Sequence, residues 1–325
     1  MVNIINTISR SKYFERFLMN VASILLFLVL YSCDKDDIKA EAINKSLDIT
    51  IDNENLKLTN SSISSNESCN GVFASCKYDS SNNLGFRIEF RLTKNGALKN
   101  ITLYDYRNEN MHFETADFNP KGLMTITNFE YDQTKNYLHF NFKGELLEQS
   151  YSDELDVDKK RKHIEGTITI QDVRNTECTS FISDLNFETN NLKFSTNLSY
   201  SSFDSVLKKA PYQFYFYSDN GNCTIFKSNK NLWNLDIGTY TFNKNSIENR
   251  IDLEQYIGIF RATQLLWVRP IDWKKFQTTG SYTIKEHTII NGEKVTKGEM
   301  NLQVYDNGVL LHNINNGKFE VIGFK

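Results

Sequence analysis

The sequence predicts an all-β protein: two antiparallel β-sandwich-like or barrel-like domains that follow a short N-terminal targeting segment. Three observations lead there. The 325 residues include 23 Phe and 16 Tyr but only 3 Pro, a balance that favours strands. Apolar residues recur at every second position through most of the chain, and helix-period patterns are nearly absent. The 38 asparagines suit many turns, and several stand beside a glycine where alternation stops, as hairpin turns require.

In chain order, Leu47, Ile49 and Ile51 give a first short strand. Phe86, Ile88, Phe90 and Leu92 give a second, joined through the Lys94-Asn95-Gly96 turn to Ile101, Leu103, Tyr104 and Tyr106. Met124, Ile126 and Asn128 precede a strand over Tyr137 to Leu147 and another through Ile164, Thr167, Ile168 and Ile170. An Asn, Thr and Ser-rich stretch at 176–186 marks a boundary, so the domains are taken as 46–178 and 179–325. The second block starts with Tyr212, Phe214 and Phe216, turns at Ser218-Asp219-Asn220-Gly221 and returns through Thr224 to Phe226. Trp233, Leu235, Ile237, Tyr240 and Phe242 continue it. A terminal meander runs over Tyr282 to Ile290, Glu299 to Tyr305, Val309 to Ile314 and Phe319 to Phe324. Its turns fall at Asn291-Gly292, Asp306-Asn307-Gly308 and Asn315-Asn316-Gly317. Only Phe203 to Lys209 and Ile247 to Phe260 carry spacing that suits short helices. His163-Ile164-Glu165-Gly166-Thr167 and Thr296-Lys297-Gly298-Glu299-Met300 match weakly. Duplication of one unit and the general likeness of antiparallel hairpins both explain that match.

The N-terminus carries Arg10, Lys12 and Arg16, then an apolar run from Phe17 to Leu30, the layout of a signal peptide over residues 1–32. Fourteen residues of helix span about 21 Å, short of the roughly 30 Å hydrocarbon core of a bilayer. Leu30-Tyr31-Ser32-Cys33 resembles the lipobox of bacterial lipoproteins, which implies acylation of Cys33. Lys35, Asp36 and Asp37 resemble the export signal of Bacteroidota-type lipoproteins, which implies display on the outer face of the outer membrane, with residues 33–45 as a lipidated tether. From Gly280 onward, Gly280-Ser281-Tyr282-Thr283-Ile284, Lys297-Gly298 and Asn313 to Phe319 resemble the ending of uncharacterised β-rich lipoprotein domains. That likeness implies fold and compartment only.

With Cys33 committed to lipid, Cys69, Cys76, Cys178 and Cys223 remain in an oxidising compartment, and two disulfides are expected with three open connectivities. Removing residues 1–32 takes away three positive charges and one negative, which moves the net charge from −3 to −5. An acidic surface is unsuited to a phosphate backbone, so no nucleic-acid partner is expected. The basic run Lys159 to His163 is preceded by Asp153, Glu154, Asp156 and Asp158, and reads as a charge-compensated loop.

His112, His139, His163, His287 and His312 are scattered, and no phosphate loop, nucleophile elbow or dinucleotide fingerprint occurs, so neither a metal nor a cofactor is expected. No acid stands apart from its neighbours, and the chain reads as a non-enzyme. Its candidate ligand-binding residues are Trp267, Arg269, Asp272 and Trp273, two indoles beside planar polar groups, the combination that stacks on sugar rings. The competing reading puts these tryptophans in the core. The expected role is binding or scaffolding at the outer membrane, with a glycan or an outer-membrane protein as partner and the membrane engaged through the N-terminal lipid. The alternatives are a polysaccharide-acting hydrolase and a purely structural envelope component.

Overall fold

Alternation becomes two ten-stranded antiparallel sheets, each wrapped around its own core. The computed structural model describes residues 45–79, 85–107, 111–116, 118, 122–149, 160–176, 180–204, 209–258 and 270–323. Among them there is no α-helix.

The first sheet comprises β1 (Lys45–Ile51), β2 (Glu54–Thr59), β3 (Ile63–Ser68), β4 (Gly71–Tyr78), β5 (Phe86–Leu92), β6 (Leu98–Asp105), β7 (Met111–Glu114), β8 (Met124–Asp132), β9 (Tyr137–Glu148) and β10 (Arg161–Ile170). Its order is β2-β1-β10-β9-β7-β6-β5-β4-β3, with β8 also on β9. Every second residue of β5 (Phe86, Ile88, Phe90) is buried in this core, and Phe90 packs on Phe140 and Phe142 of β9, with ring centroids 5.4 and 4.8 Å apart. Beyond β10 the chain returns along β3: Glu67 N–H donates to the Arg174 carbonyl at 2.8 Å, and Arg174 N–H to the Ser65 carbonyl at 3.3 Å. This strap draws the open end of the sheet inward.

The second sheet comprises β11 (Asp184–Glu188), β12 (Lys193–Asp204), β13 (Lys209–Ser218), β14 (Asn222–Ser228), β15 (Gly238–Phe242), β16 (Arg250–Tyr256), β17 (Trp273–Lys275), β18 (Gln277–Ile290), β19 (Glu293–Asp306) and β20 (Val309–Ile322), in the order β15-β18-β19-β20-β11-β12-β13-β14-β16-β17. The direct passage from β17 to β18 brings distant strands together. Phe276 N–H donates to the Leu253 carbonyl at 3.1 Å, and Thr278 Oγ1 to the Ile251 carbonyl at 2.6 Å. The sheet is thereby nearly barrel-shaped, around Phe226, Tyr282 and Phe319. An all-β chain of two sandwich-like or barrel-like domains is what the alternation predicts.

Three local expectations are corrected. Ile251 to Tyr256 forms strand β16, not a helix: Ile251 and Leu253 point into the barrel core, while Asp252 and Glu254 take the other face. Of the other expected helix, Phe203 and Asp204 end β12 and Lys209 begins β13, with 205–208 outside the described residues. Asn315-Asn316-Gly317 is not a turn, because β20 continues through it. The ladder slips between Met300↔Gly317 and Leu302↔Ile314, and Asn316 takes φ 55°, so the motif makes a β-bulge. Asn and Gly signal a left-handed backbone, which bulges and turns both need. The true turns at Asn291-Gly292 and Asn307-Gly308 have positive φ at both residues, as type I′ hairpins require.

The pair of disulfides is also corrected. Cys76 and Cys223 are free thiols buried in different cores, and two bridges would consume both. Cys69 sits at the tip of the β3–β4 hairpin, whereas Cys76 faces Ile63 at its far end, about 20 Å along the strand at 3.3 Å per residue. A bridge needs Cα atoms within about 7 Å. Burial pushes the Cys76 thiol up to about 12, which keeps it protonated and inert. Cys178 lies outside the described residues, as do Cys33, Lys35, Asp36 and Asp37.

Candidate functional site

The two sheets meet at the start of β6. Asn95 and Gly96 (φ 84°) turn the chain from β5 into β6, which carries the Leu98 peptide against the second sheet. Asp219, in the β13–β14 turn, accepts from Leu98 N–H through Oδ2 at 2.9 Å. Asn197 of β12 donates from Nδ2 to the Leu98 carbonyl at 3.0 Å. Two side chains thus satisfy both backbone groups of one residue, in place of a neighbouring strand. Burial raises Asp219 above the usual carboxylate range, although the Leu98 N–H and nearby Lys193 oppose the shift.

An aromatic cluster holds a second contact. Phe118 reaches the outer face of the second sheet, its ring centroid 5.3 Å from Tyr217, 5.0 Å from Tyr256 and 4.9 Å from Trp273. Tyr217 belongs to β13, whose Phe214 and Phe216 point into the barrel while Tyr215 and Tyr217 point out. Tyr200 of β12 stacks on Tyr215 at 4.5 Å and 15°, shares a 3.1 Å hydroxyl contact with Tyr217, and stays 45% exposed. The result is a tyrosine platform on the outside of a strand whose other face is core.

Between these contacts lies a cleft of about 900 Å³, within the usual size range for small-ligand sites. The first sheet supplies Arg91, Lys94 and Lys99 to its wall; the second supplies Asp184, Asp219 and Glu320, with Tyr217 and Leu198 as apolar surface. Most of these charges are already matched. Lys94 pairs with the buried Glu67, Arg91 lies 3.4 Å from Glu89, and Glu320 lies 3.4 Å from Lys297. Asp184 bonds Asn186, yet burial raises it, and Glu320 adds to the rise from the opposite strand, where the two are register partners.

Lys99 is different. Among the described residues it has neither a hydrogen-bond acceptor nor an ion-pair partner, and burial alone brings it down to about 8. Beside it, the Asn197 Oδ1 atom is buried without a donor. An acceptor left in that state costs about 1–3 kcal/mol.

Of the sequence-derived candidates, Trp267 and Arg269 lie outside the described residues. Asp272 is 4% exposed, and its backbone carbonyl accepts from Ile257 and Gly258. Trp273 is half-buried and packs edge-on to Phe118, Tyr217 and Tyr256. Trp233 is elsewhere, 5.1 Å from the His287 ring. Sequence reasoning missed Lys99, Asn197, Asp219 and the tyrosines. One signal was available: in Phe214-Tyr215-Phe216-Tyr217 both faces of a strand are aromatic, which marks a second covered or ligand-facing surface.

Comparison with protein-family models, with curated proteins and with solved structures finds no match to this chain.

Proposed function

We propose that the chain is a lipid-anchored surface protein that binds an oligosaccharide in the cleft between its two sheets. The cleft itself carries this reading: a mixed-charge cavity of about 900 Å³ whose wall residue Leu198 leads along β12 to the partly exposed tyrosine platform at Tyr200. Sugar rings present flat C–H faces to aromatic rings and hydroxyls to charged and amide groups. Tyr200 and Tyr215 supply the first kind of contact, and the cleft walls the second. Leu198, which lines the cleft, lies two residues before Tyr200 on the same strand, so one chain of sugars can span both.

Tyr200→Ala tests the platform. Its ring is half in solvent, so the fold should hold, while oligosaccharide affinity on a glycan array should fall about three- to tenfold, the worth of one aromatic contact. Unchanged affinity would remove the platform from the site. The anchor is proposed on the lipobox resemblance at Cys33 followed by Lys35, Asp36 and Asp37. Cys33→Ser should release the protein from membranes, because stable attachment needs the acyl chains.

Asp184 and Glu320 favour a second reading, a polysaccharide hydrolase. They are two carboxyls paired across β11 and β20 on the cleft wall, and Asp184 is raised towards the protonated form that a general acid needs. Release of reducing ends from a bound polysaccharide, lost in Asp184→Asn, would establish that chemistry; binding without turnover would exclude it.

A further inference from the structure

We infer that the cleft selects an acidic oligosaccharide, whose carboxylate or sulfate group pairs with Lys99. The inference rests on the glycan-binding reading above and adds the class of sugar. Every other charged group named on the cleft wall has a partner inside the protein: Lys94 has Glu67, Arg91 has Glu89, Glu320 has Lys297, Asp184 accepts from the Asn186 amide, and Asp219 holds the Leu98 N–H.

Lys99 stands in the same wall without a counter-charge among the described residues. A half-buried ammonium has lost part of its hydration and gained nothing in exchange, so a bound anion would recover more here than at a fully hydrated lysine. A neutral sugar can accept a hydrogen bond from Nζ but cannot supply the missing charge. Asn197, which also lines the cleft next to the Leu98–Lys99 peptide, carries an unused acceptor in Oδ1, the kind of group a ligand hydroxyl satisfies. The site therefore asks for an anion and a donor close together, as a sugar acid offers. The protein's overall negative charge does not oppose this, because screening at physiological salt limits exposed charges to about 8 Å.

The test uses the full chain on an array holding three sets of oligosaccharides: uronate-containing, sulfated, and neutral analogues such as methyl-esterified oligogalacturonate beside oligogalacturonate itself. The wild type should prefer one acidic set over its neutral analogue by about tenfold or more, the worth of one charge-assisted bond. The preferred set distinguishes carboxylate from sulfate. Lys99→Met should abolish that preference, lowering acidic binding at least about tenfold and neutral binding only a few-fold through one lost hydrogen bond, and Lys99→Arg should restore it. Thermal unfolding of Lys99→Met checks that the variant is folded. Equal wild-type binding of acidic and neutral sugars would overturn the acidic selection yet leave the glycan reading standing, as would an acid preference that survives in Lys99→Met. Binding to no oligosaccharide would overturn both.

Discussion

The two halves of the molecule share a strand path and differ in what their outer faces carry. In the first, the path β2-β1-β10-β9-β8 puts the opening strand between its hairpin partner and the closing strand; in the second, β12-β11-β20-β19-β18 does the same. The short sequence match falls elsewhere, since Gly166 lies in the closing strand β10 and Gly298 in the penultimate strand β19. Each glycine nonetheless lies under a phenylalanine ring of the adjacent strand, Phe142 over Gly166 and Phe319 over Gly298, where a Cβ would collide with the ring. The likeness in sequence is thus a likeness of local packing, while the likeness of topology is carried by non-matching residues. The proposed binding site lies where the halves diverge. The second half places Tyr200, Tyr215 and Tyr217 on its outer face, and the first presents Lys99 to the cleft beside them.

The largest effects should come from the separate cores. Phe90→Ala and Phe226→Ala each remove a buried ring from one half and should each cost about 3–5 kcal/mol. If each half folds around its own core, calorimetry or denaturant unfolding will show one transition moving with each variant; both moving together would make the halves one cooperative unit.

A smaller effect belongs to the junction. Asp219→Ala leaves the Leu98 N–H without its acceptor and should cost about 1–3 kcal/mol. Asp219→Asn keeps an oxygen there and removes a charge that burial disfavours, so it should match or exceed the wild type at pH 7. Destabilisation by Asp219→Asn comparable to that of alanine would show that the charge itself is needed.

The remaining effect is a pH dependence. Burial lowers Lys99 from 10.5 to about 8, so between these values the unfolded chain keeps a proton that the folded chain has shed, and this residue's contribution to stability rises with pH across that window. Lys99→Met should therefore be stabilised relative to wild type below pH 8, with the difference vanishing above about 10.5. A difference that does not change with pH would mean that folding does not desolvate the ammonium.

Much of the fold was legible because alternation and turn chemistry are local. Phe86, Ile88 and Phe90 announce a strand whatever lies around them, and Asn291-Gly292 and Asn307-Gly308 announce hairpins. Asn315-Asn316-Gly317 misled because a bulge and a turn ask the same of the backbone, and only the position of the neighbouring strand decides between them. Ile251 to Tyr256 misled because short apolar runs suit either period. The site was barely legible. Lys99 resembles the chain's other lysines until the second sheet approaches it, and Asp219 reads as an ordinary turn residue until Leu98 arrives, 121 positions away in the chain.

A crystal structure of the protein with a bound acidic oligosaccharide tests the cleft most directly. The anionic group should lie within hydrogen-bonding distance of Lys99 Nζ, with a sugar hydroxyl near Asn197 and a ring against Tyr200. Sugar density confined to another surface, with Lys99 still unpaired, would contradict the assignment.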